Sequence, residues 1–178
     1  PVVDASPVPA AARATALPAG WAHGPFMDLF VRRYQDADGD GVGDLRGLIS
    51  RLDYLADLGI KGLWLMPVTR SQDRDHGYAV ADYRGIEADY GSLADLDELL
   101  AQAHARGIGV ILDYVMNHSA AEHPLFLNSR YAADNSYRDW YVWQASAPSG
   151  WSVFGSYPWR EWAGTGGAGW YYAPFWDQ

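Results

Sequence analysis

The chain has 178 residues, 49% of them hydrophobic and 20% charged, a balance that suits a globular core or part of a larger one and excludes a disordered segment. A formal net charge of −9 argues against nucleic acid or an anionic membrane as partner and favours a neutral substrate. No apolar run approaches a membrane span, and the absence of cysteine excludes disulfide frameworks and thiolate metal sites.

Residues 1–20 are rich in Ala and Pro and carry no periodicity. They read as a tether of the kind left when a signal peptide is removed, so the expected location is periplasmic or secreted. Residues 26–31 read as a short buried strand. The acidic loop Asp36-Ala-Asp38-Gly-Asp40-Gly-Val42-Gly-Asp44 follows, with carboxylates at alternate positions around glycines. Mutual repulsion among these carboxylates calls for a cation, and hard oxygens at this spacing suit Ca²⁺. An EF-hand would need a bidentate Glu where this chain has Gly47, so that reading fails; a solvated acidic turn is the plain alternative.

Leu45, Leu48, Ile49, Leu52 and Leu55 then recur with the helical period, and Gly59 ends that helix. Residues 62–66 form a second apolar run closed by Pro67, and a long polar loop containing Asp75-His-Gly-Tyr78 comes next. Ser92 and Asp95 make a capping-box start for a second helix carrying Leu93, Leu96, Leu99, Leu100 and Ala103, which stops at Gly107. A third apolar run covers residues 110–114. The sequence helix, Gly, Ile, apolar strand occurs at Gly59-Ile60 and again at Gly107-Ile108, a weak internal repeat. Apolar strands alternating with helices give an α/β fold with a helix-covered parallel sheet, whose active site lies at the carboxyl ends of the strands.

From about Ser119 the periodic pattern is expected to end, and seven of the nine tryptophans fall between Trp140 and Trp176. Such rings serve either as sugar platforms or, for most of them, as a small aromatic core. Asp113-Tyr-Val-Met-Asn117-His118 sets a carboxylate in the third strand and an amide with an imidazole at its carboxyl end. Taken alone, His118 is as compatible with a structural hydrogen bond as with chemistry.

These elements, in this order, resemble the alpha-amylase family of glycoside hydrolases. DADGDGVGDLRGL is similar to the calcium loop after the first barrel strand in the oligo-1,6-glucosidase, neopullulanase-like and trehalose synthase branches. The resemblance implies Asp36, Asp38, Asp40, the Val42 carbonyl and Asp44 as ligands of a structural Ca²⁺. DHGYAVADY resembles the segment whose Tyr, here Tyr78, stacks beneath the sugar in subsite −1, and Asp75 matches an acid that helps bind the non-reducing end in exo-acting branches. DYVMNH resembles the family's first signature, which makes His118 the ligand of the sugar 6-hydroxyl and a transition-state stabiliser. Asp113 and Asn117 would organise that site. One departure is Ala79, where the family often has Asp.

By this resemblance the fold is the first three βα units of a (β/α)8 TIM barrel, residues 21–118, followed by an aromatic-rich domain B insertion over 119–178. The implied activity is retaining hydrolysis of α-glucosidic bonds in starch-like α-glucans or malto-oligosaccharides. The family's Asp nucleophile, Glu acid/base and second Asp follow the fourth, fifth and seventh strands, so the catalytic carboxylates lie outside this chain and the chain alone is expected to be inactive. An eight-stranded barrel needs on the order of 250 residues, so a second polypeptide supplying the rest is expected, together with an open sheet edge on the isolated chain. The alternatives are a transglycosylase or isomerase of the same family acting on maltose or trehalose, or, from another class, a calcium-dependent carbohydrate-binding module. A dockerin-like interaction domain would need a second acidic loop, and none is present.

Overall fold

The computed structural model describes residues 2–7, 17–72, 76–164 and 167–175. Along the chain come β1 (Phe26–Leu29), α1 (Leu45–Ser50), α2 (Leu52–Asp57), β2 (Gly62–Leu65), β3 (Thr69–Ser71), β4 (Val80–Ile86), α3 (Leu93–Ala105) and β5 (Gly109–Leu112). They are followed by α4 (Pro124–Tyr131), β6 (Trp143–Gln144), β7 (Trp159–Gly164) and β8 (Gly167–Tyr172). The three apolar runs pair as a parallel sheet in the order β1-β2-β5.

The register is level, with Phe26, Gly62 and Gly109 abreast at one end and Leu29, Leu65 and Leu112 abreast at the other. Strand alternation therefore puts Leu29, Leu63 and Leu65 on one face. There they join Leu45 and Leu48 of α1, Leu52 and Leu55 of α2, and Leu99 and Ala103 of α3 in a single core. Burying each such leucine contributes about 1.5–3 kcal/mol. The opposite face carries Asp28, Trp64 and Ile111, and here Trp64 is 50% and Ile111 41% exposed. At the first row, a Cβ on Gly62 would meet the Phe26 ring at 2.2 Å and one on Gly109 would meet the Trp21 ring at 2.2 Å. The two glycines thus make room for a Trp21–Phe26 ring pair whose centroids are 5.7 Å apart.

The internal repeat has a structural basis. Gly59 (φ 84°) and Gly107 (φ 71°) both occupy the left-handed region that closes a helix. The following isoleucine N–H then reaches back, Ile60 to the Leu55 carbonyl and Ile108 to the Ala103 carbonyl, and both side chains enter the core. The capping box also forms: Asp95 N–H donates to Ser92 Oγ, and Ser92 N–H donates to Asp95 Oδ2. Arg46 Nε lies 2.8 Å from Asp95 Oδ1 and links α1 to α3.

Three expectations need correction. The helix over residues 45–55 is interrupted at Arg51 (φ −104°, ψ 0°), whose Nε donates to Gln35 Oε1 at 2.7 Å; the bend leaves all four leucines of α1 and α2 fully buried. The first strand ends at Leu29, because Val31–Arg33 tightens into a 3₁₀ turn that leads into the acidic loop. Periodic structure does not end near Ser119. α4 starts at Pro124, with His123 Nδ1 accepting from Leu125 N–H, and β6, β8 and β7 form an antiparallel sheet. Phe126 of α4 packs on Trp143 and Tyr171 of that sheet, and the Arg138 guanidinium sits 3.6 Å from the Trp143 ring centroid. Trp159 is buried, as expected of an aromatic core, whereas Trp140 and Trp151 are 65% and 58% exposed.

Candidate functional site

The carboxyl ends of the parallel strands carry the polar groups. Asp113 follows β5 directly, and its N–H continues the ladder by donating to the Leu65 carbonyl at 2.9 Å, which fixes the backbone that presents its carboxylate. Tyr78 reaches the same place from the hairpin between β3 and β4, and its hydroxyl donates to Asp113 Oδ2 at 3.1 Å. Burial, reinforced by that bond and by the nearby Asp113 and Asp28 charges, pushes the Tyr78 phenol above its ordinary pKa, so it stays a neutral donor. Gly77 (φ 97°) makes the turn possible, since a Cβ there would fall 2.6 Å from Pro67.

His118 completes the group. Its Nε2 lies 3.1 Å from the Tyr78 carbonyl and its Nδ1 3.2 Å from Asn117 Nδ2. A carbonyl can only accept, so Nε2 carries a proton toward Tyr78. The imidazole packs against Phe175 at 5.0 Å, and Phe175 against Phe154 at 5.7 Å. Phe154 is 86% exposed at φ 50°, a left-handed conformation that non-glycine residues rarely adopt. Two residues before Tyr78, His76 (φ 70°) meets Phe30 edge-on at 5.0 Å. The result is a hydrogen-bonded group flanked at His118 by an aromatic ring, a surface suited to a ring with an apolar face and hydroxyl edges.

Tyr83 of β4 supports this group from behind. Its hydroxyl is 2.7 Å from the Val115 carbonyl and 2.9 Å from the His118 carbonyl, and its ring packs on Tyr114 and His123. Burial, with the neighbouring Tyr114 and Tyr141 phenols, pushes its pKa up to about 12. His123 is pushed down, chiefly by its own burial.

The acidic loop is a separate centre. Asp36, Asp38 and Asp40 each offer a carboxylate oxygen within 4.8 Å of the others. The turn is held by its own side chains: Asp36 accepts from the N–H groups of Asp38, Gly39 and Gly41, Asp38 from Asp40 and Asp40 from Val42. The Gly39 and Gly41 N–H groups are the main reason the Asp36 carboxyl lies below its ordinary pKa. Gly39 (φ 86°) and Gly41 (φ 88°) supply the left-handed turns. Asp44 instead caps α1, taking Gly47 N–H on Oδ1 and Ala37 N–H on Oδ2. Clustered hard oxygens of this kind fit a calcium-type cation.

Tyr78, Asp113 and His118 are thus brought together, and Asp36, Asp38 and Asp40 converge in the loop, with Asp44 capping the adjacent helix. Asp75 lies outside the described residues. Sequence reasoning missed Phe154, Phe175 and Tyr83; only the closeness of Tyr83 to Tyr78 within DHGYAVADY pointed that way.

The family model described as the alpha amylase catalytic domain matches residues 28–175. An alpha-glucosidase of Pediococcus pentosaceus is 44% identical over 145 residues, which is 79% of this chain and 26% of that protein. An oligo-1,6-glucosidase of Parageobacillus thermoglucosidasius is 41% identical over the same length and covers the same shares. Among solved structures, an isomaltulose synthase variant from Erwinia rhapontici NX5 in complex with sucrose superposes with a TM-score of 0.82 at 36% identity, over 90% of this chain and 29% of that one. The chain therefore spans about a quarter of the length of the relatives it matches. A family match over most of its residues, together with the parallel βα framework, shows that the chain belongs to the alpha-amylase catalytic-domain family and forms part of its TIM barrel.

Proposed function

We propose that the polypeptide carrying this chain hydrolyses α-glucosidic bonds of malto-oligosaccharides or starch-like α-glucans with retention of configuration. One observation carries this reading: Tyr78, Asp113 and His118 converge at the carboxyl ends of parallel strands as a single hydrogen-bonded floor. In this role the Tyr78 ring lies beneath the glucosyl unit and His118 takes its 6-hydroxyl. For that, the imidazole shares or gives up its bond to the Tyr78 carbonyl. Asp75 binds the non-reducing end. Retention requires two carboxyl groups roughly 5 Å apart across the scissile bond, one to attack carbon and one to protonate the leaving oxygen. Those groups belong to later strands of the barrel, outside this chain. The similarity to an alpha-glucosidase and an oligo-1,6-glucosidase supports the assignment.

The acidic loop holds Ca²⁺ in the same reading, through Asp36, Asp38, Asp40 and the Val42 carbonyl, with Asp44 as a ligand only if its carboxylate is shared between the cation and the N–H groups of Ala37 and Gly47 that it now takes. Bound there, the cation offsets the carboxylate repulsion and fixes the loop between β1 and α1, away from the reacting bond. Periplasmic or secreted location also belongs to the proposal, and cell fractionation tests it.

A second reading, transfer or isomerisation of a disaccharide, is favoured by the 36% identity to an isomaltulose synthase. Proton NMR of products from maltose, isomaltose and sucrose separates the two. Release of α-anomeric glucose, largely lost in His118→Ala, is expected; β-anomeric product or no cleavage of any α-glucoside would overturn the assignment, and a disaccharide isomer as main product selects the second reading.

A further inference from the structure

We infer that His123 is a proton-sensitive latch: its neutral imidazole seats α4 against β4 at the end of the turn that leaves His118, and protonation releases that seat. The residue is only 7% exposed and stands at the N-cap of α4. Its Nδ1 accepts the Leu125 N–H at 3.2 Å, and its ring packs on Tyr83 of β4 at 5.3 Å. The backbone closes the same turn, with Ala120 N–H donating to the Val80 carbonyl at 2.9 Å and His123 N–H to the Ala120 carbonyl at 3.1 Å. One side chain therefore joins β4 to the helix on which Phe126 meets Trp143 and Tyr171.

A backbone N–H can only donate, so the cap exists only while Nδ1 carries no proton. The usual N-cap residues are Ser, Thr, Asp and Asn, whose oxygens keep accepting near pH 6; an imidazole does not. Protonation sets one N–H against another and places a charge in a buried position. Among the described residues, the charged side chains that share the groove beside His123 are Asp82, Glu122, Asp4, Arg70 and Arg84, together with the phenols of Tyr83 and Tyr137. Asp4 and Arg84 pair with each other at 2.8 Å, and Asp82 favours the charged imidazole, but burial outweighs it. With its folded pKa held below the ordinary 6.5, His123 contributes stability that is present above about pH 6.5 and is lost as pH falls through the folded value. The latch does not depend on the proposed hydrolysis.

Hydrogen–deuterium exchange of the complete polypeptide, corrected for the intrinsic rate at each pH, tests the latch. Once opened, His123 takes up its proton with the ordinary pKa of 6.5, so opening of residues 119–131 should rise about tenfold between pH 7.5 and 5 while β2 keeps its protection. His123→Asn, which caps without titrating, should hold residues 119–131 within about twofold over the same range. His123→Ala should open them about tenfold already at pH 7.5. Equal acid loosening in the parent and His123→Asn, parental protection of His123→Ala at pH 7.5, or unchanged protection of the parent at pH 5 overturns the latch. The last outcome is read on the parent alone, so it stands whether or not either variant folds.

Discussion

Replacing Tyr83 with Phe removes one oxygen and keeps the ring packing against Tyr114 and His123. The lost hydroxyl lies 2.7 Å from the Val115 carbonyl and 2.9 Å from the His118 carbonyl, both on the segment that brings His118 to the site. Leaving partly buried carbonyls short of a donor costs about 1–2 kcal/mol. For a chain of this size that lowers Tm by roughly 2–8 °C. The pH dependence gives an independent reading. The phenol pKa rises from an ordinary 10.0 to about 12 in the folded chain, so the folded state holds the proton more tightly than the unfolded one. The associated stability is fully present below about pH 10 and is lost as pH climbs through about 12. Phe has no such proton, so the gap between parent and Tyr83→Phe should be constant at neutral pH and narrow above pH 10. Chemical denaturation of both forms between pH 7 and 11 measures it. Equal stability at pH 7, or a gap that widens in alkali, would refute the reasoning.

Other perturbations have equally definite outcomes. Chelation should lower Tm before it affects chemistry, since Ca²⁺ at a hundredfold excess over its Kd contributes about 2.7 kcal/mol, and Asp38→Ala should abolish the chelator response; identical melting with and without chelator counts against a bound cation. Gly47→Ala should destabilise by about 1–3 kcal/mol even though alanine favours helix, because the new Cβ would sit 1.9 Å from the Gln35 carbonyl oxygen. A variant at least as stable as the parent in urea would show that the loop and α1 can separate there. Leu63→Ala, at a fully buried position between the sheet and its helices, should cost about 2–5 kcal/mol in the same assay, and a cost below 1 kcal/mol would mean that this core is not shared.

The parallel sheet was legible because β2 and β5 are apolar throughout, β1 is apolar but for Asp28, and each helix before a strand is followed by a closing glycine. The capping box at Ser92 was legible for a similar reason: it is local chemistry with a fixed spacing. The bend at Arg51 was not, because the leucine period runs on through it and the partner of the Arg51 side chain, Gln35, is 16 residues away. The β6–β8–β7 sheet was hidden as well. In β7 the order Trp159, Arg160, Glu161, Trp162 breaks strict alternation; Tyr172 packs on the first tryptophan and the Arg130 guanidinium on the second. At the site, Tyr78 and His118 were marked by their motifs, whereas Phe175 and Phe154 lie 57 and 36 residues beyond His118 in sequence and join it only through the folding of the aromatic region.

The glycines at the first row of the sheet also set how far the chain can be cut back. Where Gly62 and Gly109 lack side chains, the space is filled by Phe26 and by Trp21, which precedes any strand. The packing that supports the sheet therefore includes the indole, ahead of the first hydrogen bond of β1. Trimming past Trp21 should open a hollow beside β2 and β5, where the two glycines lie. No single larger residue at either glycine closes that hollow unless the ring leaves first, so these positions can change only in concert.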